Sequence, residues 1–92
     1  MIESFRHRGL KRFYEDDDAR RLPADMVERI RSILTALDAA QEIESLNRPS
    51  FRLHPLKGDL RGFYAVTVRT NWRIIFRFES GSVLDLDFVD YH

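Results

Sequence analysis

The chain has 92 residues, 43% of them hydrophobic and 33% charged, with 15 Lys/Arg against 15 Asp/Glu; this fits one folded domain over residues 1–92 and excludes a disordered chain. It has no cysteine, which removes disulfides, thiolate nucleophiles and cysteine-based metal sites. No apolar run approaches the roughly 18 residues of a membrane span, and the first residues lack a signal peptide's apolar stretch, so a cytoplasmic protein away from membranes is expected.

Helical patterns come first. Phe5, Leu10, Phe13 and Tyr14 form a ragged stripe over residues 5–14. The acids Glu15 to Asp18 oppose the helix dipole at a C-terminus and end that helix near Glu15. Pro23 suits the first turn of a second helix. Met26, Val27, Ile30, Ile33, Leu34 and Leu37 then repeat at helical spacing to about Ala40. A short helical turn is expected over Ile43 to Asn47, before Pro49.

The period changes near residue 50. Phe51 and Leu53 alternate with Arg52 and His54; Trp72, Ile74, Phe76 and Phe78 alternate with Arg73, Ile75, Arg77 and Glu79; Leu84, Leu86 and Phe88 alternate with Asp85, Asp87 and Val89. Between them, Gly62 to Val68 is apolar on both faces, with Tyr64, Val66 and Val68 favoured as the inward set. A two-residue turn at Ser80-Gly81 would set Phe76 against Asp85. A three-residue loop, Ser80 to Ser82, sets Phe76 against Leu86, Phe78 against Leu84 and Arg77 against Asp85, so it is the expected register. A loop at Arg69-Thr70-Asn71 likewise sets Val68 against Trp72. Helices followed by strands predict an α+β fold: two N-terminal helices on one face of an antiparallel, about four-stranded sheet, with the other face open.

Parity gathers chemistry on that open face. Arg52, His54, Arg73, Arg77 and Tyr91 point outward if Phe51, Leu53, Ile74 and Phe88 point inward, and Lys57 follows His54. Residues 49–78 hold six Lys/Arg against Asp59 alone. Such a face suits RNA, with cations on phosphates and an aromatic stacked on a base. The chain ends in Asp90-Tyr91-His92, a carboxylate, a phenol and an imidazole in a row. Strict parity sends Asp90 and His92 to the opposite face. Trp72 reads as core and His7 as surface. The acids Asp85, Asp87 and Asp90 have no His or Cys partners in an established ligand pattern, so no metal is expected.

Leu53-His-Pro-Leu-Lys-Gly-Asp59, Val68-Arg-Thr-Asn-Trp-Arg-Ile74 and the terminal Asp90-Tyr-His92 together resemble the HigB toxins of bacterial type II toxin–antitoxin systems, within the RelE/ParE superfamily. The likeness is essentially full length. It implies a RelE-like fold and a ribosome-dependent endoribonuclease that cuts mRNA in the ribosomal A site, neutralised by a helix-turn-helix HigA antitoxin. Family site residues fall on His54, Lys57, Arg73, Asp90, Tyr91 and His92; the acidic run Glu15 to Asp18 receives no function.

The chemistry expected there is attack of an RNA 2′-hydroxyl on the adjacent phosphorus, which needs a base, an acid and positive charge but no metal or cofactor. Histidine titrates near cellular pH and suits both proton transfers; Arg and Lys stabilise the developing negative charge. His92 is assigned as base and His54 as acid, exchangeably, with Arg73 and Lys57 on the phosphate, Tyr91 on a nucleotide and Asp90 orienting a histidine. Arg52 and Arg77 are expected to bind RNA. A gyrase-inhibiting ParE-like toxin and a non-catalytic docking domain are the alternatives, and His54 and His92 argue against the first.

Overall fold

The computed structural model describes residues 1–90. Helices α1 (Arg8–Asp16) and α2 (Val27–Ala39) precede strands β1 (His54–Pro55), β2 (Phe63–Arg69), β3 (Trp72–Glu79) and β4 (Ser82–Asp90). The strands form one antiparallel sheet in the order β1-β2-β3-β4. This is the α+β architecture read from the sequence, and the short helical turn falls at Ile43–Leu46 as expected. No helix among the described residues is long and apolar enough to cross a membrane.

One core joins the helices to the sheet. Leu10 and Phe13 from α1 and Ile30, Ile33, Leu34 and Leu37 from α2 meet Val66, Ile74, Phe76, Leu86 and Phe88. Trp72 is partly buried against this core and stacks on Phe88, ring centres 4.6 Å apart.

Helix α1 begins later than its stripe suggests, because the residues before it lie along β4. Ile2 and Phe5 bridge Val83 and Leu86 in parallel. The Arg6 amide donates to the Leu86 carbonyl at 2.7 Å and the Leu86 amide to the Ser4 carbonyl at 3.1 Å. The segment covers part of what would be an exposed edge. His7, expected on the surface, is instead the N-cap. Its Nδ1 accepts the Leu10 amide at 3.1 Å, and its ring lies edge-on to Phe88. Gly9 makes room for that ring, since a Cβ there would sit 2.7 Å from His7 Cε1.

Both hairpin registers differ from expectation in the same way. The last turn has two residues: Glu79 faces Ser82 and Phe78 faces Val83. Ser80 and Gly81 both have positive φ, as a type I′ hairpin turn requires. Arg77 then faces Leu84, but Ile75 faces Asp87. Asp85 and Leu86 therefore stand together opposite Phe76, in a bulge with Asp85 at φ 54°. The bulge reverses parity below it, so Val83 rather than Leu84 is buried. Its freed amide, Asp85 N–H, donates to Ser4 Oγ at 2.8 Å. In the preceding hairpin Arg69 faces Trp72 across a two-residue turn, Thr67 faces Arg73, and Val68 is the extra residue. Beyond each bulge the register is the one the hydrophobic pattern demanded.

The second sheet face is not open. Phe63, Ala65 and Ile75 are buried there beneath Leu56 and Leu60, with Val89 alongside. The β1–β2 connection folds back to supply that cover, turning at Gly58 and Gly62, both with positive φ.

The cap makes stability depend on pH. Burial lowers the His7 pKa, with Asp87 opposing, so the unfolded chain takes up the proton first. Stability present above the unfolded value of about 6.5 is lost as pH falls from there through the lower folded-state value. The Asp18 and Asp38 carboxyls, held below the usual range by hydrogen bonds from Arg20 and Tyr14, add losses only in more acidic solution. His7→Asn keeps a capping acceptor that does not titrate. Between pH 7.5 and 5.5 its melting temperature should fall less than the wild type's; equal declines would refute the role of His7. Gly9→Ala should cost about 1–2 kcal/mol at pH 7 by displacing the cap, measured by denaturant titration.

Candidate active site

The strand register aligns the second face in rows. His54 pairs Ala65, which pairs Ile75; Thr67 pairs Arg73, which pairs Val89. Directly paired residues share a face. His54 and Arg73 thus stand on the same side, about 10 Å apart across the strands and about 7 Å along them at the backbone, within convergence of their side chains. Between them is a hollow of about 150 Å³, with Leu56, Leu60, Ala65, Ile75 and Val89 in its walls and His54, Arg73 and Asp90 completing the lining. Its floor is the small apolar cluster, so a charge entering it meets little competing water.

His54 is positioned by a kink. The Thr67 amide donates to the Phe51 carbonyl at 2.8 Å, whereas His54 faces Ala65, so one residue more is spent on the first strand than on β2. Arg52 absorbs it at φ 51°, which explains why the expected strand from Phe51 shrinks to His54–Pro55. The kink also turns the Arg52 carbonyl toward the imidazole, 3.0 Å from His54 Nδ1. A carbonyl only accepts, so Nδ1 carries the hydrogen and donates. The Nε2 atom of the exposed ring is left to exchange a proton with a substrate.

Arg73 is held without being neutralised. Its Nη1 donates to the carbonyls of Arg69 at 2.9 Å, Thr70 at 3.0 Å and Trp72 at 3.2 Å. No carboxylate pairs with it among the described residues. The β2–β3 bulge and turn present those carbonyls to Nη1 while Nε and Nη2 remain for an anion.

The other expected residues are placed as follows. Asp90, sent by parity to the helix side, nevertheless lines the hollow, at the end of β4 opposite Trp72. Lys57 is exposed at the start of the Gly58–Leu60 turn, outside the hollow. Arg52 is exposed and contributes its carbonyl. Arg77 lies farther down β3, hydrogen-bonded to Asp85 at 2.8 Å and paired with Glu79, which neutralises it. Tyr91 and His92 lie outside the described residues. Sequence reasoning missed Leu56 and Leu60 as walls; the signal was the apolar character of Ala65, Ile75 and Val89 at outward positions. It also missed Arg6, whose guanidinium lies over the Phe63 ring at 4.9 Å, beside the same cluster.

The chain is similar to several known proteins. The chain is 49% identical over all 92 residues to Endoribonuclease HigB of Proteus vulgaris, which it covers completely. It is 34% identical to Toxin HigB-1 of Vibrio cholerae, over all of this chain and 98% of that one. Among solved structures, a YafQ variant from E. coli superposes with a TM-score of 0.65 at 16% identity, over 98% of this chain and 91% of that one. The YoeB toxin in a YoeB–YefM toxin–antitoxin heterotetramer from Staphylococcus aureus superposes with 0.63 at 19%, over 100% and 95%; both show the shared fold. Residues 3–92 match the family of HigB-like toxins, the RelE-like toxins of type II toxin–antitoxin systems, and the chain belongs to that family.

Proposed function

We propose that this toxin is an endoribonuclease that cuts mRNA in the ribosomal A site and is neutralised by a HigA-like helix-turn-helix antitoxin. The observation that carries the reading is the pairing of an oriented imidazole with an unneutralised guanidinium at one hollow. The name of the Proteus vulgaris relative, an endoribonuclease at 49% identity, supports the reaction class.

In the reaction the RNA 2′-oxygen bonds to phosphorus and the bond from phosphorus to the 5′-oxygen breaks. This leaves a 2′,3′-cyclic phosphate and a 5′-hydroxyl. His92 takes the 2′-hydroxyl proton; His54, as imidazolium, gives its Nε2 proton to the departing oxygen. Sharing the work in the reverse sense is equally balanced. Arg73, through Nε and Nη2, stabilises the charge on the phosphoryl oxygens, and Lys57 and Arg52 hold flanking phosphates. Asp90 orients a histidine, and Tyr91 stacks on a base. Arg77, already tied to two carboxylates, adds least. No metal or cofactor enters this scheme.

The size of the hollow supports dependence on the ribosome. At about 150 Å³ it falls below the roughly 300 Å³ of a self-sufficient ligand pocket. It holds a phosphate and part of a sugar, but it does not set the strand in line for attack, a contribution worth up to about 7–11 kcal/mol. The decoding site would supply that alignment. Purified toxin should therefore cleave ribosome-bound mRNA well and naked RNA poorly; equal rates overturn the ribosome's role.

Substitutions test the assignments. Arg73→Ala should lower single-turnover cleavage about 10²–10³-fold and His54→Ala about 10²–10⁴-fold, with melting temperatures near the wild type's. Neither side chain belongs to the core. Full activity in either variant removes that residue from the mechanism. Deleting His92 should inactivate the toxin, and a C-terminal tag should impair it more than an N-terminal one. Growth arrest on induction compares the forms, and full toxicity of the deletion would shift proton transfer to His54 alone.

A further inference from the structure

Arg29 reaches the approach to His54 from the helix side of the sheet. It is half-buried on α2, and its Nη2 donates to the carbonyls of Ser50 and of Thr67, the latter at 2.9 Å. No carboxylate pairs with it among the described residues. Its guanidinium lies over the Phe51 ring at 5.3 Å, and that of Arg48 lies over the same ring at 5.1 Å.

The Thr67 carbonyl is where a regular ladder would undo the kink at Arg52. His54 faces Ala65, and two residues on the Leu56 amide donates to the Phe63 carbonyl at 2.8 Å. In an antiparallel pair, residues that exchange hydrogen bonds recur at every second position. Continued two residues back, the same ladder would set Arg52 against Thr67. Thr67 would accept the Arg52 amide on its carbonyl and give its own amide to the Arg52 carbonyl. The chain does neither. The Thr67 amide goes to the Phe51 carbonyl at 2.8 Å and the Arg52 amide to the Arg48 carbonyl at 3.3 Å, while Arg29 supplies the donor to the Thr67 carbonyl. The Arg52 carbonyl is left over, and His54 Nδ1 takes it at 3.0 Å.

Nothing in the Arg52 residue itself favours this outcome. Its φ of 51° is one that a long side chain adopts only where the surroundings over-determine it. Arg29 satisfies the Thr67 carbonyl in place of the Arg52 amide; without it, a return to the regular ladder is what satisfies that oxygen. We propose that Arg29 is a positioning residue for His54: by holding the Thr67 carbonyl it keeps the Arg52 carbonyl turned to the imidazole, which fixes the hydrogen on Nδ1 and leaves Nε2 as the nitrogen that exchanges a proton with substrate. The same tautomer serves whether His54 gives or takes that proton. The catalytic consequence rests on the nuclease reading; the tautomer stands on the hydrogen-bond pattern alone.

The test reads the imidazole directly. In the ¹⁵N-labelled full chain, above the range where histidine titrates, the ring-nitrogen shifts separate a nitrogen that carries hydrogen from a bare one. Wild-type His54 should be in the Nδ1–H form, and the Nε2–H form there overturns the proposal at once. Arg29→Met keeps an apolar stem against Phe51 and removes the donors. It should move His54 toward the Nε2–H form, which an unrestrained histidine prefers. Single-turnover cleavage of ribosome-bound mRNA should fall about 10²-fold, with the concentration for half-maximal rate unchanged. Arg48→Gln removes the other cation over Phe51 but no bond to Thr67, so it should keep the wild-type tautomer; an equal shift there assigns the effect to packing on Phe51 and overturns the proposal. So does a folded Arg29→Met with the wild-type tautomer, whatever its cleavage rate. If Arg29→Met does not fold, Arg29→Gln, whose amide stops short of the Nη2 position, carries the same prediction; if neither folds, Arg29 is a support of the fold and the proposal falls. A shifted tautomer with wild-type cleavage keeps Arg29 in its positioning role and removes His54 from the reaction. Wild-type protein that fails to cleave mRNA on ribosomes ends the nuclease reading, and the tautomer shift in Arg29→Met still decides the role of Arg29.

Discussion

Strand β3 is apolar on both faces, and the rest of the molecule is arranged around that constraint. Ile74 and Phe76, both fully buried, meet the helices, while Ile75, 4% exposed, meets the other side. Each such side chain is worth about 1.5–3 kcal/mol when removed from water, so neither face can be left to solvent. The helices cover one face. On the other, the short β1–β2 connection brings Leu56 and Leu60 across Phe63, Ala65 and Ile75. That cover is what carries His54 into line with Ala65 and Ile75 and leaves a hollow beside Arg73. The site is therefore a by-product of completing a small second core, and its apolar floor and charged rim come from the same folding step.

Much of the fold was legible because period-2 and period-3.6 patterns report burial directly. Ile30, Ile33, Leu34 and Leu37 read as one helix face, and Ile74, Phe76, Leu86 and Phe88 as the inward strand positions; all are buried. The hairpins were misread through an either-or choice between loop lengths. The chain takes the tight turn and then corrects the register with a bulge, so the hydrophobic pairs match despite the shorter turn. Nothing in the residue type announces this. Asp85 and Arg52 adopt positive φ without being glycine; aspartate tolerates that region better than arginine does, but neither residue type marks where a bulge falls. Its stabilisation is tertiary: Ser4 receives the amide released at Asp85, and Arg77 receives its carboxylate.

The same limit applies to the site. Parity put His54 and Arg73 on one face, and the pairings of His54 with Ala65 and of Arg73 with Thr67 keep them there despite the extra residues at Arg52 and Val68. Asp90 pairs with Trp72, as parity requires, and still lines the hollow, because parity gives no account of how a strand's end meets such a rim. His7 was missed as a cap because histidine is not among the favoured N-cap residues; its fitness depends on Gly9 and on the face of Phe88, both set by tertiary structure. Fold likeness does not supply these details, since one fold hosts many activities. They come from the particular atoms at the rim.

The arginines differ in how they are held, and so in how much of their charge is left for a ligand. Arg69 and Arg77 are paired with carboxylates, which fix them and cancel their charge. Arg29 donates to the carbonyls of Ser50 and Thr67 at 2.5 and 2.9 Å and lies over the Phe51 ring; it ties α2 to the kinked approach to β1. Arg73 is also held by carbonyls, three of them, but at the edge of a hollow. A carbonyl restrains a guanidinium by dipole alone and leaves its full charge for a ligand, whereas a carboxylate would have to be displaced before any phosphate could bind. That difference follows from elementary electrostatics. It distinguishes Arg73 from Arg77, two residues that one sequence pattern placed on the same face of the same strand.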